Sequence, residues 1–470
     1  MSVSMKKIFD VTVYENQVDE KGLWTKAVQA AVNDCHAQGG GRVYFPAGEY
    51  VLGTVFLKSN VTIEIAKGAM IGGAPSFYDY QPQEKIDYPL YQDASHSYFD
   101  CSMFVGRNCD NIAIIGEGAI DMRSVWDEDN VRDIVHRGPK CIALKECNHV
   151  EVSGLRIDNV TDLAVYFAGC EDVEVHHLSM RVYIDGISPD NSKHVRIHDC
   201  DVEAGDDAIV FKTSYTLNRL DICKDIRVWN CRLKSRCTAL KFGTETNGGF
   251  EDIHIENVDI RETRITGIAI ESVDGAIVDG VTIKNVRMKN VGAPLFIHVG
   301  KRMRGPAGRE IGEIKNVTLE NITAEGPYEP YEIVAWNYVS YVANDTYQYP
   351  WAFGTAESFD DRTCGNTAES PWQMTSNVCG LQGHTLKNIT LRNVHFYLDG
   401  GVKEFNSNVP EEAQDYPEVY VYGRFLPAKG IYFRYIDGLT LENVTVNTYR
   451  ADAREDFVFE KVTDLKVENK

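Results

Sequence analysis

The chain has no apolar run long enough to cross a membrane, and none follows the two lysines of its opening MSVSMKKIFDVTVYENQVDEKG. A transmembrane helix is therefore excluded and a secretory leader is not expected, which points to a cytoplasmic protein. Positive charge is also short, with 48 Lys and Arg against 69 Asp and Glu, a net charge of −21. Nucleic acid and anionic membranes both need clustered cations, so neither is an expected partner. The 12 cysteines contain no CxxC pair and no Cys/His zinc spacing, so no structural metal is expected. Most of them, such as Cys109, Cys147, Cys170, Cys200 and Cys231, stand beside or within apolar strand-like runs and read as buried free thiols. Cys364 and Cys379, set apart in a loop-like stretch, are the best pair for a bridge.

Helical periodicity is scarce as well. Only residues 22–38 carry it: Trp24, Ala27, Val28, Ala31, Val32 and Cys35 share one face, and Gly39-Gly40-Gly41 ends the pattern. What fills the rest is a single recurring template of a turn residue, alternating apolar positions, an Asn or Gly, and alternating apolar positions again. It reads HVEVSGLRI from His149, DVEVHHLSM from Asp172, HVRIHDCDV from His194, DIRVWNCRL from Asp225 and DIHIENVDI from Asp252. It continues from Gly280, Asn316, Asn388 and Gly438. Self-similarity at this period marks a solenoid, and alternation by two makes its unit strand–turn–strand. The fold class expected is all-β, a single parallel β-helix domain over residues 1–470 with the early helix capping its open end. The triplets at Asn60, Asn159, Asn316, Asn321, Asn388 and Asn443 look like glycosylation sites but read as turn asparagines stacked coil upon coil.

Residues 325–385 break the pattern. Eight Tyr and Trp crowd between Tyr328 and Trp351, Trp336 among them. Such an insert could stack on sugar rings, fold on its own small core, or form a homo-oligomer contact.

Two acidic turns, Asp185-Gly186 and Gly205-Asp206-Asp207, lie about one repeat apart. Stacked coils are about 4.8 Å apart, so three carboxylates should cluster on one face. Crowding should make at least one hold its proton above the usual range, the pairing that glycoside hydrolysis needs. Ordinary turns or a calcium site remain the alternatives at this point.

The stretch QGGGRVYFPAGEYVLGTVFLKSNVTIEIAKGAMI, together with Asp185-Gly186-Ile187 and GDDAIVFKT, resembles glycoside hydrolase family 28, the polygalacturonase group, over roughly residues 8–320. The resemblance implies a right-handed, single-stranded parallel β-helix, no cofactor, and inverting hydrolysis of pectic bonds. It casts Asp206 as general acid, with Asp185 and Asp207 holding and deprotonating water. Two family motifs differ. Cys237 falls where a Gly-His-Gly histidine is expected, and the carboxylate-binding Arg-Ile-Lys falls near Ala269-Ile270-Glu271. An anion at Glu271 would repel a uronate by on the order of a kcal/mol, so a neutral sugar is expected there unless Lys212 or Lys241 supplies the charge. Glu245 is a further candidate for sugar contact, and Tyr183 replaces a polar residue of the Asn-Thr-Asp motif.

The reading is thus a glycosidase, exo-acting if the insert walls off a cleft, on a plant cell-wall or pectic oligosaccharide or polysaccharide. The catalytic trio is Asp185, Asp206 and Asp207; the substrate-binding set is Tyr183, Lys212, Lys241, Glu245, Glu271 and Trp336, with no metal. A β-helix polysaccharide lyase and a decayed carbohydrate-binding solenoid are the alternatives.

Overall fold

The computed structural model describes residues 7–126, 137–326, 373–405, 407–411 and 416–468. Its strands pair in parallel, each with the strand one coil earlier and one coil later, in a right-handed parallel β-helix. Inward residues of the repeats stack in register: Val150, Val173, Val195, Ile226, Ile253, Val281, Val317, Ile389 and Leu439 form one continuous column. All nine are buried. Burying one such side chain stabilises by roughly 1.5–3 kcal/mol, so the column alone explains why period-two alternation is kept through the chain.

The template's polar positions are a backbone requirement. The first residue of every quoted repeat has left-handed backbone, from His149 (φ 52°) and Asp172 (φ 54°) to Asn388 (φ 54°) and Gly438 (φ 81°). So does the sixth, from Gly154 (φ 76°) and His177 (φ 53°) to Asn443 (φ 53°). An ordinary side chain costs about 1–2 kcal/mol there, which glycine avoids and Asn or Asp offsets by local hydrogen bonds. The six asparagines of the Asn-x-Thr triplets are all in this conformation. Several also bond along the stack: Asn443 donates to Asn393 (2.9 Å), Asn393 to Asn321 (3.0 Å) and Asn388 to Asn316 (3.0 Å).

The helix Thr25–Ala37 buries Ala27, Val28, Ala31, Val32 and Cys35 against the first strands, Ile8–Asp10 and Gly41–Phe45, and so covers the end of the solenoid. Trp24 precedes it, edge-on to Tyr50 at 5.0 Å. No helix among the described residues is long and apolar enough to cross a membrane. All eleven described cysteines are buried and free; Cys364, and with it the expected bridge to Cys379, lies outside the described residues. Residues 327–372 of the insert are likewise outside them, including Trp336 and the whole aromatic run, so the oligomer and sugar-contact expectations fall there too. Ser376–Cys379, at the insert's far end, pairs with Ile277–Val299 and Ala428–Arg450 and belongs to a coil.

Candidate active site

Four strands stack here, Val165–Ala168, Ile187–Asp190, Ile209–Thr213 and Thr238–Thr246, and the two acidic turns lead into the N-terminal ends of the middle two. The coils meet closely there. A Cβ on Gly205 would lie 2.1 Å from the Tyr183 carbonyl oxygen, and one on Gly186 would lie 2.5 Å from that of Ala208. Glycine beside each aspartate therefore lets the two turns touch, and carboxylate oxygens of Asp185, Asp206 and Asp207 lie within 4.8 Å of one another. Asp185 and Asp207 are buried while Asp206 is half-buried. The backbone N–H of Asp207 donates to Asp185 Oδ1 (3.1 Å) and that of Thr238 to Asp207 Oδ1 (3.1 Å). Burial, then the charge of Asp206, push the Asp185 carboxyl up to about 6. Burial also drives Asp207 well above the usual carboxylate range, although Lys241 opposes it. The cluster thus holds protons that free aspartates would have lost, which is what acid–base work near neutrality requires.

Ion pairs surround the trio. Lys212 Nζ donates to Glu245 Oε2 (2.9 Å) and the Gly243 carbonyl (3.2 Å). Lys241 Nζ donates to Glu418 Oε1 (3.0 Å) and lies 3.6 Å from Asp207 Oδ2 and 3.9 Å from Glu271 Oε1. Arg302 is held by Asp274 and the Thr244 carbonyl, beside the Tyr416 ring. Burial lowers both lysines' proton affinity, but their carboxylate neighbours outweigh it and both stay cationic. Burial is the largest single effect on Glu245 and raises it, but Lys212, His96 and Arg302 together lower it to about 2, so it stays ionised.

The expectation for Glu271 is corrected. Its side chain has no exposed surface, sits behind Gly243, and neither carboxyl oxygen has a hydrogen-bond partner among the described residues. Burial raises it to about 8 despite Lys241. It is therefore a neutral acid at pH 7 and presents no anion to a sugar. Lys241 pairs in register with Ala269, so a cation stands one coil before the position where the family motif was sought. Lys212, Lys241 and Glu245 do gather at the trio. Tyr183 instead packs beside Trp126, accepts a hydrogen bond from Ser124 Oγ (3.0 Å) and contributes its backbone to the close turn.

Sequence reasoning missed His96, Arg137, Arg302, Tyr416 and Glu418. His96 Nε2 lies 3.9 Å from Asp185 Oδ2, and Arg137 lies within electrostatic reach of Asp93, Asp162, Asp206 and Asp185. These residues lie outside the repeats, where no periodicity predicts direction. Only the basic run KRMRGPAGR around Arg302 carried a signal, a cluster of cations unusual in so acidic a chain.

Sequence relatives include a probable polygalacturonase of Vitis vinifera, 24% identical over 51% of this chain and 52% of its own length. An exo-poly-α-D-galacturonosidase of Dickeya chrysanthemi is 22% identical over 54% of this chain and 50% of its own. The chain thus spans about half the length of these relatives. Among solved structures, the Yersinia enterocolitica family 28 exopolygalacturonase superposes with a TM-score of 0.70 at 19% identity, covering 99% of this chain and 79% of that one. A hyperthermoactive exopolygalacturonase from Thermotoga maritima gives 0.67 at 17% identity, covering 94% and 92%. Such likenesses show the shared β-helix. The sequence model of glycosyl hydrolases family 28 matches residues 35–333, more than half of the chain, and the chain belongs to that family.

Proposed function

We propose that the protein hydrolyses a glycosidic bond at the end of a pectic oligosaccharide, with Asp206 as general acid and Asp185 and Asp207 holding and deprotonating the attacking water. The observation that carries this reading is the meeting of three carboxyls within 4.8 Å, two buried and the third half-exposed, with His96 and Lys241 beside the buried pair. Asp206 would protonate the departing glycosidic oxygen while the water's oxygen bonds to the anomeric carbon and its proton passes to the aspartate pair. The exopolygalacturonase relatives support action at a chain end. Inversion is supported by the family resemblance; a two-carboxylate inverting site usually separates its groups by about 6.5–9.5 Å, so the anomer formed first is an informative product. Lys241 and His96 beside the aspartates already supply positive charge, which disfavours a calcium cage of six to eight oxygens. Buried free thiols support a reducing, cytoplasmic setting.

At the cleavage subsite a neutral sugar is favoured because three of the cations around the trio are already paired with carboxylates: Lys212 with Glu245, Lys241 with Glu418 and Arg302 with Asp274. A galacturonate there is the second reading, favoured by the protonated Glu271, which neither repels a uronate carboxylate nor draws on the charge of Lys241. Both are tested together by assaying the protein and Asp206→Asn on oligogalacturonides and on neutral aryl α-glycosides. Turnover by the former protein alone supports hydrolysis, and the preferred substrate chooses the sugar. An unsaturated product lost on EDTA treatment would establish a lyase instead, and binding without turnover a carbohydrate-binding solenoid.

A further inference from the structure

His96 approaches the acid cluster from outside the coils that bear it. It ends the short 3-10 turn Ala94–His96, and the segment around it is pinned on several sides. Glu84 accepts hydrogen bonds from the backbone of Phe99 and Asp100 and pairs with Arg107. Tyr166 donates its hydroxyl to the His96 carbonyl (3.1 Å) and stands edge-on to the imidazole at 5.6 Å. The residue is 2% exposed.

Its two nitrogens face different acids. Nδ1 is 2.7 Å from Asp93 Oδ1, which also accepts the His96 backbone N–H at 3.2 Å. Nε2 is buried, has no hydrogen-bond partner among the described residues, and lies 3.9 Å from Asp185 Oδ2. That is beyond hydrogen-bond reach, so the interaction is between charges. The place where the family resemblance expects a histidine is occupied by the buried thiol of Cys237.

We propose that His96, kept protonated by Asp93, is the positioning residue for Asp185: its cation holds that carboxyl ionised so that it can take the proton of the attacking water. A histidine from a separate segment thereby supplies the charge that Cys237 cannot. The role given to Asp185 rests on the hydrolytic reading above, whereas the electrostatic coupling rests on geometry alone. Every group facing the ring has a stated effect. Burial and the Lys212 cation work against its charge, while Asp93 and Glu245 favour it and together prevail, raising His96 above its ordinary value. At Asp185, burial and the Asp206 charge favour the proton, while Lys212, then His96 and then Arg137 favour ionisation; the His96 charge acts in the same sense on Asp190, and Arg137 on Asp93.

The test is the titration of the Asp185 carboxyl, followed by carbon-13 NMR of the labelled protein and assigned with Asp185→Asn, in wild type, His96→Gln and Asp93→Asn. Loss of the cation should move the Asp185 midpoint up by about one pH unit or more in His96→Gln, with a smaller upward shift in Asp93→Asn. The acidic limb of kcat/KM should move with it, giving about a tenfold loss at acid pH and little at the alkaline plateau. An unchanged Asp185 midpoint, or a loss equal at every pH, overturns the proposal. The NMR titration decides the coupling even if no glycoside is turned over, an outcome that would refute the hydrolytic reading separately. If His96→Gln does not fold, the direction of the Asp93→Asn shift decides.

Discussion

Replacing Glu271 by Gln isolates the buried acid behind Gly243. The ordinary glutamate value is 4.5, and burial among the coils raises it to about 8 in the folded protein. Below pH 4.5 both the folded and unfolded states carry the proton, and its stabilising contribution is fully present. As pH rises the unfolded chain releases the proton first, so the folded state loses stability until pH passes about 8. Each pH unit in that window is worth about 1.4 kcal/mol, so the whole window amounts to an effect on the order of 5 kcal/mol. Gln has the same shape and cannot ionise. Relative to wild type, Glu271→Gln should therefore gain stability steadily between pH 5 and pH 8, whatever fixed packing difference it carries. Urea unfolding of both proteins at pH 5, 6, 7 and 8, with refolding checked at each, measures the gap. A gap that is flat with pH, or one in which the variant becomes less stable as pH rises, would refute the reasoning. Either would mean that Glu271 is ionised and paired with Lys241, 3.9 Å away.

Three further outcomes are expected. Asp206→Asn should fold normally and lose roughly 10²–10⁴-fold in kcat, measured as reducing ends released from the best substrate. Lys212→Met should cost about 3–5 kcal/mol by leaving Glu245 buried without its cation; Lys212→Met with Glu245→Gln should recover much of this in the same denaturation assay. Asn321→Ala, at φ 55° in the asparagine ladder, should cost about 1–2 kcal/mol, and Asn321→Gly much less of the backbone part.

The repeat was readable because its physics is local. A left-handed turn accepts Gly, Asn, Asp or His, and a strand with one buried side alternates, so the same letters recur at Asp172, Asp225, Asn316 and Asn388. The acidic trio was readable for the same reason, since coil stacking converts a spacing along the chain into contact between Asp185 and Asp206. Lys212 and Lys241 could be placed on the acids' side by counting along strands. Glu271 was misjudged because the sequence carries its charge type but not its burial, and burial reverses its protonation.

By itself, the sequence determined the β-helix, its capping helix, the stacked turns and the convergence of three aspartates, because each follows from periods of two and of one coil. The tertiary structure alone decided what surrounds those aspartates. His96 and Glu418 arrive on irregular segments far along the chain from Asp185, where no period relates sequence to direction. Whether Lys241 is solvated, bound to Glu418 or set against Asp207 is a matter of dielectric and distance, and both exist only once the coils and the segments crossing them have packed.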